Sequence, residues 1–183
     1  SEGCVGPRSA AKHLYNHSIA ALALAEAYGM TGSMLFKEPA QRAIDFLVAA
    51  QNPGRGWRYQ AASGDNDTSD TGWAVMALKS AEIGGLLLPR SGYDGARSWL
   101  DESTDEAGRT GYTARGTGKV FIPGLNDAFA DHETTTAIAV MSRIFMDRRK
   151  SDPRHRAGCE LLVRVATPEH ASLMVEDWES ALG

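Results

Sequence analysis

Hydrophobic residues recur at helical spacing in six stretches of the chain, which are separated by segments rich in glycine, proline or polar residues. A spacing of three or four residues between apolar positions predicts amphipathic helices, so we expect an all-α chain. The predicted helices cover residues 14–28, 39–51, 70–83, 93–101 and 137–146, and a sixth opens at Pro153. A further amphipathic segment at 169–182 predicts a C-terminal helix.

The longest interruption of this pattern spans residues 103–130. The segment contains five glycines and shows little periodicity, so it predicts an extended Gly-rich loop or a small β-hairpin around residues 112–122. We interpret it as an insertion into a single domain that covers residues 1–183.

The segment 42–80 combines the end of one helix, a glycine turn and the start of the next helix. Pro53 cannot continue the helix that ends at Gln51, and Gly54 accepts the left-handed backbone of a helix terminus. The turn then leads to Trp57. Further on, Ser69 and Asp70 precede an apolar helical run, so their side-chain oxygens are predicted to cap the next helix.

An internal repeat underlies this order of helices. Residues 17–22 align with residues 71–76, and these align with residues 136–141. The second helix of each unit carries an aromatic or leucine pair at the matching place, at 46–47, 99–100 and 161–162. The repeat predicts about three helical hairpins, with small-residue odd helices inside and more polar even helices outside.

The run 42–57 reads basic-small-x-x-aromatic-aliphatic-x-x-x-Gln, then a short gap, Gly and Trp. With Gln51, Gly56 and Trp57 in these places, it resembles the QW motif of the squalene cyclases, apart from one extra residue before the tryptophan. We interpret these three residues as structural.

Over residues 15–162 the chain looks like the prenyltransferase and squalene-oxidase repeat domains of bacterial proteins, an uncharacterised branch of the terpenoid cyclase and protein prenyltransferase superfamily. This resemblance implies an α/α toroid. Because a full toroid holds about six hairpins, three hairpins imply a half toroid with open inner faces. We expect either a homodimer, or half of a longer chain, or a C-terminal helix around Trp178 that covers the open edge.

The acidic stretch 65–71 lies where the resembled squalene–hopene cyclases carry an Asp-x-Asp-Asp-Thr motif whose middle acid protonates the isoprenoid. In that alignment Asp67 takes the first position, Ser69 the middle one and Asp70 the last. A serine hydroxyl cannot protonate an alkene, so the catalytic acid is missing unless Asp67 or Asp70 has taken the role. Helix capping and loop solvation are the alternative for these residues, including Asp65.

Other residues near the predicted helix starts are candidates for ligand binding. His17 and His132 open the first and fifth helices, and the toroid implied by the resemblance places both with Asp70 at one rim. Glu133 and Trp73 complete this set. The spacing is not that of a metal site, and structural roles at helix starts are the alternative.

The resemblance also suggests chemistry that the residues do not support. The zinc-dependent prenyltransferases use Asp-x-Cys with a distant histidine, and this chain has no Asp-x-Cys, so we expect neither a metal nor a cofactor. Two cysteines, Cys4 and Cys159, are too few for a disulfide scaffold; they are either paired with each other or free and buried.

The net charge argues against nucleic-acid binding, and the length of the apolar runs argues against a membrane span. A formal net charge of −4 gives no long-range attraction for nucleic acid, and no apolar run is long enough for a membrane span. The sequence predicts a soluble protein. The resemblance implies a bacterial one, for which cytoplasmic and exported locations both stay open.

From these observations we expect a non-catalytic binding or assembly domain whose partner is an apolar small molecule or another protein. The alternative is an enzyme that acts on an isoprenoid or another long apolar substrate, with an acid at the rim of its cavity.

Overall fold

The computed structural model describes residues 3–116, 133–147 and 152–165. Six α-helices form this part of the chain, and it contains no β-strand, which confirms the predicted all-α class. The helices are α1 His13–Thr31, α2 Met34–Ala49, α3 Thr68–Ile83, α4 Ser91–Ser103, α5 Glu133–Asp147 and α6 Pro153–Val165. None of the described helices is long and apolar enough to cross a membrane.

The odd-numbered helices form a row in which α3 packs between α1 and α5. Each odd helix also packs against the even helix that follows it in the sequence: α1 on α2, α3 on α4, and α5 on α6. The core lies between the row and the even helices, and its largest fully buried side chains include Trp57, Leu14, Ile44, Leu47 and Leu78. Consecutive helices thus pair as neighbours, and the pairs stand side by side.

The first two helices extend beyond their predicted limits. The side chain of Ser33 accepts a hydrogen bond from the backbone N–H of Leu35, so α2 begins at Met34 and Pro39 lies inside the helix. Near the end of α1, Gly29 remains helical and approaches Gly84, where an added Cβ would lie 3.4 Å from its Cα. The helix stops at Gly32, whose φ of +63° is left-handed.

The cap of α3 differs from the sequence prediction. Asp67, not Ser69 or Asp70, is the N-cap residue, and its Oδ1 accepts the backbone N–H of Asp70 at 2.7 Å. The helix therefore begins at Thr68, one residue before Ser69. The prediction was wrong because the run of acidic and hydroxyl residues offers several side chains that can cap a helix.

The segment that follows α4 folds back onto the row of odd helices. Thr104 and Thr110 form an isolated antiparallel bridge, and the carbonyl of Gly111 accepts the hydroxyl of Thr68 at the start of α3. The Thr135 hydroxyl, at the start of α5, donates to the carbonyl of Thr110. The predicted β-hairpin around 112–122 lies mostly outside the described residues, as do the C-terminal helix and Trp178.

The same hydrogen bond recurs at the three positions that the sequence repeat aligns. The backbone N–H of Val5 donates to Nδ1 of His17 at 3.0 Å, and that of Trp57 donates to Oγ1 of Thr71 at 3.1 Å. In the third unit, the backbone N–H of Thr110 donates to Oγ1 of Thr136, also at 3.1 Å. A side chain at the fourth or fifth position of each odd helix therefore binds the segment that precedes that helix.

Close contact with the following even helix recurs as well. A Cβ added to Gly3 would overlap the Arg42 carbonyl of α2, and one added to Gly108 would overlap the backbone of Gly158 in α6. In the middle unit the contact is reversed, since a Cβ on Gly95 of α4 would lie 2.6 Å from the carbonyl of Arg55. A close backbone contact between the segment before an odd helix and the even helix that follows is therefore present at all three places.

Candidate functional site

Two carboxyl groups lie buried together at the start of α3, and both side chains are 0% exposed. Asp67 has hydrogen-bonding and charged partners: Oδ1 caps the helix, while Oδ2 lies 3.4 Å from the Tyr112 hydroxyl and 3.6 Å from Nε of Arg58. Burial raises the pKa of Asp67, and its hydrogen bonds and the Arg58 charge oppose that shift.

Asp70 differs from its neighbour, because both of its oxygens are buried without a hydrogen-bond partner among the described residues. Burial raises the pKa of Asp70 to about 7, the negative charge of Asp67 adds to the shift, and Arg58 opposes it. The single guanidinium of Arg58 therefore lies beside two carboxyl groups, and Asp70 keeps its proton close to neutral pH.

Two tyrosines continue this cluster towards the surface. The hydroxyls of Tyr59 and Tyr112 lie 2.8 Å apart, and Arg58 packs over the Tyr59 ring at 5.2 Å from its centre. Burial and the hydrogen bond to Tyr59 raise the pKa of Tyr112, so its hydroxyl stays protonated and donates to Asp67. We call Arg58, Tyr59, Asp67, Asp70 and Tyr112 the acid cluster.

The remaining candidates from the acidic stretch and the start of α3 do not join the acid cluster. Asp65 is exposed, and its backbone makes two hydrogen bonds: the carbonyl accepts from the Asn52 amide and the N–H donates to the Ser63 hydroxyl. Ser69 is half-buried. Trp73 is also half-buried, and its indole N–H donates to the hydroxyl of Tyr15 on α1 at 2.8 Å. Ser69 and Trp73 share one face of α3, since they are four residues apart.

His17 has a structural environment in this fold. Its Nδ1 accepts the Val5 N–H, so its Nε2 carries the proton and donates to the carbonyl of Ala43 at 2.9 Å. Burial lowers the pKa of the ring, which packs edge-on against Phe46 at 4.8 Å. Both nitrogens are thus occupied by the protein, and neither is left for a ligand.

The histidine and acid predicted at the fifth helix are only partly described. His132 lies outside the described residues, and Glu133 is half-buried at the first position of α5. In the described ranges, no group of three or more His, Cys, Asp or Glu side chains could hold a metal ion. The two cysteines are free and half-buried.

The three QW-like residues hold the turn between α2 and α3. The indole N–H of Trp57 donates to the carbonyl of Leu47 at 2.8 Å, and the ring is fully buried. The Gln51 amide donates to the carbonyls of Arg55 and Gly92, at 2.7 and 2.9 Å, and so joins the turn to α4. A Cβ on Gly56 would overlap the hydroxyl of Thr71, so this position admits no side chain.

Sequence reasoning missed the residues that complete these arrangements. Asn52 is buried and binds three groups of the loop that follows it, namely the Asp65 carbonyl, the Asn66 side chain and the N–H of Gly64. Arg58, Tyr59 and Tyr112 were not singled out either. The sequence does place Arg58 directly after Trp57. Neighbouring residues of an extended segment point to opposite sides, so a buried Trp57 predicts that Arg58 points away from the tryptophan pocket.

A groove of about 420 Å³ lies on the other side of the turn, between α2 and α4. Its lining includes Gln51, Asn52, Pro53, Ser91 and Asp94, and none of the acid cluster. No family model, curated protein or solved structure matches the chain. The resemblance to squalene cyclase-like repeats therefore stays a prediction from its motifs.

Proposed function

We propose that this chain is a non-catalytic binding or assembly domain, built as about half of a squalene cyclase-like α/α toroid. The row of odd helices forms the inner layer and the even helices form the outer layer. The proposed partner is an apolar small molecule or a protein that contacts the inner face of the row.

The recurring contacts support the repeat architecture. The side chains of His17, Thr71 and Thr136 each accept a hydrogen bond from the segment that precedes their helix. The same bond at equivalent places is expected when one structural unit is repeated along the chain. The row in which α3 packs between α1 and α5 is the arrangement that an inner layer requires.

The burial of both acids is the observation that carries the non-catalytic proposal. Asp67 and Asp70 are 0% exposed, so a substrate on the inner face cannot contact either carboxyl group. The side chain between them that reaches the surface is Ser69, which has no acidic proton to give to an alkene. A general acid must lie within hydrogen-bond reach of the group that it protonates, and here a hydroxyl occupies that place.

The inner face itself suits an apolar partner. Ser69, Trp73 and Met76 are half-buried and recur every three or four residues, so they share one face of α3. Tyr15 of α1 joins them, with its ring edge-on to Trp73 at 6.3 Å. An aromatic pair with one hydrogen bond between its members leaves its ring surfaces for hydrophobic contact.

The test combines binding with product analysis. Farnesol, an acyclic isoprenoid alcohol that is less apolar than squalene, is titrated into the chain by calorimetry, and squalene is incubated with the chain and analysed by mass spectrometry. We expect saturable farnesol binding that weakens about tenfold in Trp73→Ala, the effect of losing roughly 1.4 kcal/mol of contact. We expect squalene to be recovered unchanged.

Leu35→Ala is the matched control, because Leu35 is an exposed apolar residue at the start of α2, far along the chain from this face. Its farnesol affinity should equal that of the unmodified chain. Equal losses in both variants, or no farnesol binding at all, would exclude the inner face as a site for apolar molecules and leave a protein as the proposed partner.

One observation favours the enzyme alternative. A carboxyl group that keeps its proton near pH 7, as Asp70 does, has the protonation state that a general acid for an isoprenoid needs. Turnover of squalene that disappears in Asp70→Asn, with farnesol binding retained, would establish this alternative and overturn the non-catalytic proposal.

A further inference from the structure

The two contacts between neighbouring odd helices follow one pattern. Between α3 and α5, the side chain of Ile138 packs where a Cβ on Gly72 would otherwise lie. Between α1 and α3, Trp73 reaches Tyr15, which lies three residues before the fully buried Ser18 and on the same face of α1. In both cases a large side chain of the later helix packs against the earlier helix, Ile138 at Gly72 and Trp73 at Tyr15.

The internal repeat gives these residues equivalent places in the three units. The large positions are Ile19, Trp73 and Ile138, and the small positions directly before them are Ser18, Gly72 and Ala137. Trp73 and Ile138 pack against the preceding odd helix. Among the described helices, none precedes Ile19 in the row and no odd helix follows Ala137.

One end of the row therefore presents a large residue, and the other end a small residue, without the odd helix that each would contact. Ile19 is 38% exposed, and Met30, which lies three turns further along the same face of α1, is also exposed. At the other end, Ala137 is exposed, and Ile144, seven residues later on the same face of α5, is 46% exposed. We call these surfaces the α1 edge (Ile19, Met30) and the α5 edge (Ala137, Ile144).

We propose that the α1 edge of one copy of this chain packs against the α5 edge of a second copy, with Ile19 lying over Ala137. The contact repeats the one that Ile138 already makes with Gly72, so the second copy continues the row of odd helices. This inference rests on the repeat architecture proposed above, but it does not depend on a ligand of the inner face.

The two edges differ in sequence, so the contact is between unlike surfaces. Two copies related by a twofold axis can form it twice, each α1 edge meeting the other copy's α5 edge. If the rotation does not close after two copies, the same contact builds a larger assembly, since unlike surfaces leave one free edge at each end.

The experiment measures self-association of the full chain by analytical ultracentrifugation over a range of concentrations, without any ligand. Ile19→Arg places a positive charge on the α1 edge, and Ala137→Glu places a negative charge on the α5 edge. Each variant should weaken self-association by at least about tenfold, because an unpaired charge in a contact costs more than roughly 1.4 kcal/mol. Val163→Arg is the control, since Val163 is an exposed apolar residue of α6 on neither edge.

Mixing the two variants gives the decisive result. Ala137→Glu keeps its α1 edge and Ile19→Arg keeps its α5 edge, so one contact of an equal mixture is unmodified and the other sets the two introduced side chains, of opposite charge, beside each other. The mixture should therefore form a two-copy complex that neither variant forms alone. Circular dichroism confirms that each variant is folded, and Ile144→Glu replaces Ala137→Glu should the latter not fold.

Three results would overturn the proposal: an unmodified chain that stays monomeric at every concentration, edge variants that associate as Val163→Arg does, or variants that stay monomeric when mixed. A monomer that becomes dimeric when residues 166–183 are deleted would assign the edges to the chain's own C-terminal segment. Farnesol binding by the monomeric variants would show that the proposed function holds even where this inference fails.

Discussion

The hydroxyl of Thr71 accepts the backbone N–H of Trp57 at 3.1 Å, and both groups are buried. This bond links the turn after α2 to the first turn of α3, and it has a counterpart in each of the other two units.

Replacing Thr71 with valine keeps the shape of the side chain but removes the acceptor. The buried N–H of Trp57 is then unsatisfied, so the free energy of unfolding should fall by about 1–3 kcal/mol in urea denaturation. Thr134→Val is the matched control, since Thr134 is exposed on α5 and its replacement should leave the midpoint unchanged. Equal midpoints for the two variants would contradict a role for this bond.

Two substitutions of Trp57 separate the contribution of its ring to stability from that of its indole N–H. Trp57→Ala removes a fully buried aromatic side chain and should lower the free energy of unfolding by about 3–5 kcal/mol. Trp57→Phe keeps most of the ring but leaves the Leu47 carbonyl without its donor, so a smaller loss of about 1–2 kcal/mol is expected. A loss below about 1 kcal/mol for the alanine variant would make the QW resemblance superficial.

Asp70 makes the stability of the chain depend on pH. Its pKa is about 7 in the folded protein and 3.8 in an unperturbed chain, so between these values the folded state binds the proton more strongly. Stability should therefore fall as pH rises from about 4 to about 7 and stay at the lower level above that range.

Asp70→Asn has no proton to lose, so it should be increasingly more stable than the unmodified chain across this window. The gap should be small below pH 4 and on the order of 4 kcal/mol above pH 7, where the full shift in pKa is expressed. Thermal unfolding from pH 4 to pH 8 measures it, with Asp65→Asn as an exposed control. Parallel profiles for all three proteins would show that Asp70 titrates normally.

Arg143 joins the second and third pairs of helices. It is 6% exposed, its Nη2 lies 2.9 Å from Oδ1 of Asp101 on α4, and its Nε lies 3.5 Å from Asp152 before α6. Arg143→Met should cost about 1–3 kcal/mol, because it removes hydrogen bonds to charged groups in a buried place. The exposed pair of Arg156 and Glu160 gives the contrast, since Arg156→Met should cost less than about 1 kcal/mol. Equal losses in the free energy of unfolding for the two variants would show that the buried ion pairs of Arg143 stabilise the fold no more than the exposed pair does.

The helices were predictable because their apolar spacing is a local property of the sequence. The helix limits were less predictable: the N-cap Ser33 starts α2 before Pro39, and Asp67 caps α3 in a run where Ser69 and Asp70 also have side chains of types that can cap a helix. Which side chain caps a helix depends on where the preceding segment enters, and that is set by the buried Trp57.

The candidate site was less predictable than the fold. The sequence singled out Asp67 and Asp70, but their burial and their shared Arg58 depend on a turn and on Tyr112, which lies 45 residues from Asp67. His17 shows the same limit, because a histidine at a helix start gives no sign of its bonds to Val5 and to Ala43 of the next helix.

The recurring hydrogen bond closes loops of unequal length. It spans 12 residues from Val5 to His17 and 14 from Trp57 to Thr71, but 26 from Thr110 to Thr136. Each doubling of a flexible loop adds about 0.6 kcal/mol to the entropic cost of closing it. By this scaling the third connection has the largest entropic cost of closure, roughly 0.5–0.7 kcal/mol above the other two.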